Sequence, residues 1–141
     1  MSENRIFVDT NILVYAYDLS AGAKHDTAQY ILSELWNSGR GLLSTQVLQE
    51  FFVAITGKVA RPLDWRKAAN IVEDLLSWDL VVNDGASILQ AAAIQARYRV
   101  SFWDALILHA ALRGGAQILL SEDFSSGTFI EGLLIKNPFN E

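Results

Sequence analysis

The segment IFVDTNILVY, residues 6–15, contains the change of pattern that decides the fold. Its first three residues, Ile6-Phe7-Val8, form a short apolar run rich in β-branched side chains, which favours a buried strand. Polar residues end this run, and the sequence from Asn11 to Tyr17 then has the pattern of a helix opening. A buried strand that leads directly into a helix is typical of a parallel α/β sheet.

The rest of the chain repeats this alternation. Short apolar runs predict further strands at residues 42–43, 80–82, 118–120 and 133–135. Helical patterns lie between them at residues 27–36, 47–55, 64–77, 87–98 and 102–112, with Gly57 ending the second and Asp64 as N-cap of the third. The sequence therefore predicts a single α/β domain over residues 1–141, with a central parallel sheet that helices cover on both faces.

The composition excludes several kinds of site. The chain has 141 residues, of which 51% are hydrophobic, so it needs neither disulfides nor a structural metal to fold. It has no cysteine, which excludes thiol nucleophiles, thiolate metal sites and disulfide bonds. No apolar run reaches the ~18 residues of a membrane-spanning helix, and the start of the chain lacks the layout of a signal peptide. We expect a cytoplasmic protein that does not bind membranes.

The net charge of −5 argues against nucleic-acid binding when it is taken alone, because attraction to phosphates usually requires a basic surplus. Divalent cations bound among the acids would offset much of this charge. A local basic segment is opposed only by Asp64, and it contains Lys58, Arg61, Arg66 and Lys67 around Trp65. This segment is either a solvated helix end or a track for RNA, and the charge does not decide between them.

Two acids follow predicted strands. Asp9 comes directly after the first strand, and Asp123 lies three residues after Leu120, with Ser121 in the same turn. Since ligands of open α/β sheets bind beyond the carboxyl ends of the strands, both acids should project from one edge of the sheet. Each also has a purely structural interpretation, as a helix N-cap for Asp9 and as a surface turn for Asp123.

Two further acids lie on predicted helices. Asp104 belongs to a helix that is apolar nearly all round, so its carboxylate should sit near buried surface. Its spacing from Ser101 also fits a capping box, and capping does not exclude a metal role. Glu50 lies on the flank of an apolar helical stripe, with Gln46 at four-residue spacing, where a charged residue taken alone usually keeps its head in solvent.

Four carboxylates at one sheet edge would repel each other, and some would take up protons unless a cation neutralised them. The two histidines, His25 and His109, lie outside this set, and the chain has no thiolate. The available metal-binding side chains are therefore carboxylates, which favour Mg²⁺ or Mn²⁺ over zinc. Such a metal polarises a phosphoryl oxygen and readies a water as nucleophile. The acids therefore predict phosphodiester cleavage.

At these residues the sequence resembles the PIN-domain family, and within it the VapC-type toxins of toxin–antitoxin pairs. The resemblance covers nearly the whole chain and rests on four motifs in order, at residues 7–15, 44–50, 101–105 and 120–123. It implies that the metal-binding catalytic acids are Asp9, Glu50, Asp104 and Asp123, with Asn11 and Ser121 as supporting residues. Glu122 stands beside Asp123, and the Ser-x-Asp spacing favours Asp123.

The same resemblance implies a three-layer α/β/α sandwich and a ribonuclease that depends on Mg²⁺ or Mn²⁺. It also implies frequent homodimers and a cognate antitoxin that inhibits by placing a segment in the active-site groove. Because an acidic protein of this size has little basic surface with which to grip a duplex, we expect the RNA substrate to be single-stranded or looped.

Two alternatives remain open. A catalytically inactive PIN-like binding module would keep the fold without the chemistry. A receiver-type phosphoacceptor domain is also a doubly wound α/β unit of similar length, and Ser121 and Lys136 fall at predicted strand ends that suit it. This second alternative leaves Glu50 and Asp104 unexplained.

Overall fold

The computed structural model describes residues 4–139, in which strands alternate with helices. The strands are β1 (Ile6–Val8), β2 (Gly41–Ser44), β3 (Asp79–Val81), β4 (Ile118–Leu120), β5 (Phe129–Ile130) and β6 (Leu133–Lys136). The α-helices are α1 (Thr10–Tyr17), α2 (Ala23–Ser38), α3 (Thr45–Gly57), α4 (Trp65–Leu75), α5 (Gly85–Tyr98) and α6 (Phe102–Arg113). Residues 1–3 and 140–141 of the predicted domain lie outside the described residues.

The strands form one sheet in the order β3-β2-β1-β4-β6-β5. Neighbouring strands run parallel, except that β5 pairs antiparallel with β6 at one edge. The order reverses between β1 and β4, where Val8 pairs with Leu120. In doubly wound sheets this switch point is where ligands bind, beyond the carboxyl ends of the strands. It places the residues that follow Val8 beside those that follow Leu120.

The predicted fold class, an α/β domain with a central parallel sheet flanked by helices, is confirmed, and the antiparallel β5 makes the sheet mostly rather than wholly parallel. Helix α1 packs against both α2 and α3, α3 packs against α4, and α5 packs against α6. Helix α6 is buried over most of its surface, as its sequence predicts; the buried residues are Ala105, Leu106, Ile107, Leu108, Ala110 and Ala111. Packing therefore fixes α6 on several sides. In the described part of the chain, no helix is long and apolar enough to cross a membrane.

Some boundaries and one strand differ from the sequence prediction. Strand β3 lies one residue earlier than predicted, α1 begins at Thr10 rather than Asn11, and α4 ends at Leu75. The sequence does not predict β5, because this strand has only two residues and its turn to β6 consists of Glu131 and Gly132. Both turn residues have positive φ, 50° and 88°, and a glutamate is uncommon in that conformation.

Candidate active site

Asp9 lies at the end of β1, where the sheet order reverses. It is the N-cap of α1, with its Oδ1 accepting a hydrogen bond from the Thr10 backbone N–H at 2.7 Å. Its Oδ2 accepts another from the Ser121 hydroxyl at 2.7 Å, and the residue is only 4% exposed. Burial raises the pKa of Asp9 to about 7, against the effect of its two hydrogen bonds, and the charges of Asp123 and Glu50 add to the rise. Asp9 is therefore a helix cap and a buried acid at once.

The turn after β4 carries Ser121 and Asp123, and it lies beside Asp9 because β1 pairs with β4. The buried Ser121 hydroxyl donates to Asp9 and accepts a hydrogen bond from the Asp123 backbone N–H at 3.0 Å. Asn11, on α1, donates from its Nδ2 to Asp123 Oδ2 at 3.0 Å. These contacts join the first and last predicted motifs in one hydrogen-bonded group.

Glu50 projects from α3 towards α1 and has an exposed side chain. One of its carboxylate oxygens accepts a hydrogen bond from the Thr10 hydroxyl at 2.7 Å, and the other accepts one from Gln46 Nε2 at 3.1 Å. The Gln46 amide also donates to the backbone carbonyl of Trp103 on α6, at 3.2 Å. Neutral groups from α1 and α3 therefore hold the Glu50 carboxylate.

Asp104 lies half-buried in the first turn of α6. Its backbone N–H donates to Ser101 Oγ at 3.0 Å, so Ser101 caps the helix, but the structure forms only this half of the capping box. Burial raises the pKa of the Asp104 carboxyl, and the charges of Asp123 and Glu50 raise it further, while the contact with Ser101 lowers it. The carboxylate is therefore electrostatically coupled to the other acids.

The four acids share an environment that has no paired cation. The charges of Glu50 and Asp123 raise the pKa of both Asp9 and Asp104, and none of the ion pairs within residues 4–139 involves any of the four. Carboxylate oxygens with unneutralised charge suit a hard divalent cation. In the described chain, however, no three His, Asp or Glu side chains are close enough to hold a metal ion as they stand. The acids fit Mg²⁺ or Mn²⁺ by donor chemistry and charge, and the repulsion between unneutralised carboxylates favours their separation.

Glu122 lies in a different environment from its neighbour Asp123. Its carboxylate accepts a hydrogen bond from the Tyr15 hydroxyl and forms an ion pair of 2.9 Å with Lys24. The Lys24 ammonium also lies 5.0 Å from the centre of the Tyr15 ring. A lysine therefore neutralises Glu122, whereas Asp123 is bound by the neutral amide of Asn11. This geometry favours Asp123 as the acid of the site.

An open cleft of about 580 Å³ borders Glu50 and Asp123, and Lys58 also lines it. The rest of the basic segment is dispersed. Arg66 packs over the ring of the neighbouring tryptophan at 4.9 Å, and Lys67 lines a separate cleft between α2 and α4. The segment is therefore not one continuous track, and Lys58 is its contribution to the acidic cleft.

A sequence model of the PIN domain matches residues 6–125, which include all four acids. The chain belongs to the PIN-domain family. The resemblance to this family that the sequence indicates is thereby confirmed. No curated protein sequence matches the chain significantly.

Solved structures of toxins and toxin–antitoxin complexes share this PIN fold. VapC20 of Mycobacterium tuberculosis, described as a toxin that cleaves the sarcin–ricin loop, is 25% identical, with a TM-score of 0.65 over 89% of this chain and 97% of that one. A toxin–antitoxin complex from Klebsiella pneumoniae is 19% identical, with a TM-score of 0.68 over 95% and 98% of the two chains. VapBC2 from Rickettsia felis, bound to a DNA fragment from its promoter, is 20% identical, with a TM-score of 0.66 over 94% and 97%.

The PIN topology excludes the receiver-type alternative. Receiver domains have the strand order 2-1-3-4-5, in which the first strand lies between the second and the third. Here β1 lies between β2 and β4, and Asp9 binds Ser121 from the turn after β4. The receiver-type interpretation is therefore wrong.

Two polar residues of this PIN site, Thr10 and Gln46, are not among the functional residues that the sequence predicts. Thr10 binds Glu50 across 40 positions of the chain, for which no local signal exists. Gln46 stands four residues before Glu50, and this spacing on a helix is the signal that pairs them. Its contact with Trp103, 57 positions away, has no such signal.

Proposed function

We propose that this PIN-domain protein is a metal-dependent endoribonuclease and the toxin of a toxin–antitoxin pair. The observation that supports this most strongly is the buried Asp9, whose pKa is raised to about 7 by burial and by its acidic neighbours. A buried carboxylate beside other acids, with no paired cation, is the electrostatic condition that a carboxylate metal site presents before its metal binds. The likeness to VapC structures supports the toxin assignment.

The residues that would hold Mg²⁺ or Mn²⁺ are Asp9, Glu50, Asp104 and Asp123. A cation bound there supplies charge that polarises a phosphoryl oxygen and activates a water as nucleophile. Neutral groups of the chain orient these acids: Ser121 binds Asp9, Thr10 binds Glu50, and Asn11 binds Asp123. Because these donors are neutral, they orient the acids without adding a positive charge that would compete with the cation.

RNA cleavage by the purified protein should disappear in EDTA and return with excess Mg²⁺ or Mn²⁺, because the acids would act on the phosphate and the water through the cation that they hold. Labelled RNA resolved on a gel measures this. Asp9→Asn protein, purified in the same way, controls for contaminating ribonuclease. Undiminished cleavage after thorough chelation would contradict metal dependence. Absence of cleavage with either metal would instead identify a catalytically inactive PIN-like binding module.

We propose single-stranded or looped RNA as the substrate. The cleft beside the acids is open, and Lys58 is the cation of the basic segment that lines it, so there is room for a single strand but little basic surface for a duplex. Unstacked bases in loops are also where RNA sequence is read most readily. A toxin described as cleaving the sarcin–ricin loop is among the structural relatives, which supports this choice.

Replacing Lys58 by Ala should weaken RNA binding and flatten its salt dependence, by about 0.7 in the slope of log affinity against log salt for one lost phosphate contact. Lys67→Ala is the matched control, because Lys67 lines a different cleft. Affinities are measured across a salt series with a hairpin RNA and its fully paired counterpart. An unchanged slope for Lys58→Ala would remove this lysine from the RNA path. Equal cutting of both RNAs would contradict the loop preference.

We also propose that a cognate antitoxin binds along an apolar cleft between α3 and α4. This cleft measures about 800 Å³, and its lining includes Phe52, Val53 and Leu76. Val53 on α3 and Leu76 directly after α4 are 56% and 50% exposed, so two large apolar side chains face solvent along this cleft. Val53 also lines the acidic cleft, so one antitoxin segment lying along both would reach the acids. The toxin–antitoxin complexes among the structural relatives support such a partner.

Leu76→Arg should abolish co-purification with the antitoxin while RNA cleavage persists, because Leu76 lines the apolar cleft and not the acidic one. The candidate partner is a small protein encoded in the adjacent reading frame, co-expressed with this chain. Leu89→Arg, at a 73% exposed position on α5, is the control and should leave the complex intact. Retained binding by Leu76→Arg would place the antitoxin elsewhere.

We also propose, from family membership, that the chain forms a homodimer. Light scattering on the chain alone tests this.

A further inference from the structure

Gln46 is a buried polar residue that connects two helices of the acidic site. It lies in the first turn of α3 and is only 6% exposed. Its amide nitrogen is 3.1 Å from Glu50 Oε2 and 3.2 Å from the Trp103 carbonyl oxygen. A side-chain amide carries two N–H donors, so Gln46 donates one to each partner. The contacts link Glu50 on α3 to the α6 residue that precedes Asp104.

The orientation of this amide follows from its neighbours. Both nearby groups, a carboxylate and a carbonyl, accept hydrogen bonds only, so turning the amide over would set its own oxygen against them. In the observed orientation the Gln46 Oε1 is buried and has no hydrogen-bond partner within the described residues. A buried, unpaired acceptor costs free energy, and an apolar side chain of similar shape avoids that cost. Stability alone therefore does not account for a glutamine here.

The carboxylates of Glu50 and Glu122 have partners of different charge. Lys24 binds Glu122 and neutralises it. The two oxygens of Glu50 each accept a hydrogen bond from a neutral group, from Thr10 and from Gln46. Glu50 is thereby fixed in orientation while it keeps its negative charge and its remaining lone pairs. Of these two donors, Gln46 is the one whose side-chain hydrogen bonds within residues 4–139 also reach α6.

We propose that Gln46 is a positioning residue, which holds the Glu50 carboxylate at a fixed position relative to the α6 turn that carries Asp104. It thereby sets the distance between these two acids for a divalent cation. The inference rests on the proposed nuclease function. A glutamine that merely tied two helices together would affect stability and not catalysis. A positioning glutamine affects catalysis and cation affinity, and its removal leaves stability unchanged or raises it.

Gln46→Met tests this distinction, because methionine fills a similar volume without an amide. We expect kcat to fall and the affinity for Mn²⁺, measured without RNA, to weaken, each by about 10- to 100-fold, as on loss of a group that orients a metal ligand. The KM for RNA should not change, because Gln46 is buried. The urea midpoint of the metal-free variant should equal or exceed that of the wild type. Gln90→Met, at an exposed position on α5, is the matched control.

A second measurement tests the contact itself and does not need activity. In the ¹⁵N-labelled wild type, the side-chain amide protons of Gln46 should exchange with solvent far more slowly than those of Gln90, and Glu50→Ala should accelerate the Gln46 exchange. Exchange as fast as that of Gln90 overturns the inference, as do a kcat and an Mn²⁺ affinity of Gln46→Met that equal the wild type. A wild type that binds Mn²⁺ without cleaving RNA contradicts the proposed nuclease function instead. In that case, slow exchange of the Gln46 amide protons together with weaker Mn²⁺ binding by Gln46→Met still supports the positioning role of Gln46.

Discussion

Asp104→Asn should abolish RNA cleavage and leave the metal-free protein at least as stable as the wild type. The half-buried carboxyl loses a charge that burial and the charges of Asp123 and Glu50 disfavour, so the free energy of unfolding should not fall. Loss of a cation ligand removes several kcal/mol of transition-state stabilisation, which lowers kcat by roughly 100-fold or more. Cleavage rates and urea unfolding in EDTA, measured on one preparation, give both quantities.

Ser101→Ala is the control that separates capping from catalysis at this turn. It removes the hydroxyl that accepts the Asp104 backbone N–H, so the free energy of unfolding should fall by about 1 kcal/mol. Cleavage should persist, because the Asp104 carboxylate stays in place. Wild-type cleavage by Asp104→Asn would limit Asp104 to a structural role.

Asp9 should make the metal-free wild type lose more stability between mild acid and alkaline pH than a variant without this carboxyl. The pKa of Asp9 is about 7 in the folded chain, chiefly because the carboxyl is buried, against an ordinary value of 3.8. Between these values the folded state holds a proton that the unfolded state has lost, so the free energy of unfolding falls as the pH rises. Below both pKa values the Asp9 carboxyl is protonated in the folded and the unfolded state, and above both values it is ionised in the two states. The whole fall due to Asp9 is about 4 kcal/mol, and urea unfolding in EDTA at pH 5 and pH 8 samples most of it.

Asp9→Asn is the matched control for this pH effect. Asparagine is also a good N-cap, so the variant should keep the start of α1 while losing the titrating group. Its unfolding free energy should therefore vary much less between pH 5 and pH 8. Excess Mg²⁺ should restore wild-type stability at pH 8, because the cation binds the ionised acids of the folded state. A change in stability between pH 5 and pH 8 that is as large in Asp9→Asn as in the metal-free wild type would contradict the raised pKa.

Asp9 and Asp123 show how much of the site can be predicted from the sequence. Both follow short apolar runs, and the carboxyl ends of parallel strands share one edge, so local patterns alone predict that these acids lie close together. The sequence signal for the burial of α6 is also local, because apolar residues occur on nearly all sides of that helix. The strand order has no local signal, and it is the order that places β4 directly beside β1.

Gln46 and the basic segment show where prediction from the sequence ends. The spacing of Gln46 from Glu50 predicts that they share a helix face, but the contact of Gln46 with α6 depends on how two distant helices pack. In the same way, Lys58 and Lys67 lie in one basic segment of the sequence, but in the structure they line different clefts. The direction of a side chain on a loop or helix end depends on tertiary packing, which a single sequence does not encode locally.

Translation delivers this chain from its N-terminus, so Asp9 leaves the ribosome long before Ser121 and Asp123. The hydrogen bonds that join Asp9 to Ser121 and Asn11 to Asp123 each span 112 positions. At about 5–20 residues per second, roughly 6–20 s pass between the synthesis of the two halves of the site. Because β1 cannot complete its pairing until β4 has emerged, the acids stay apart during that interval. The complete set of four acids therefore comes together only after synthesis has passed residue 123 and most of the chain has been made.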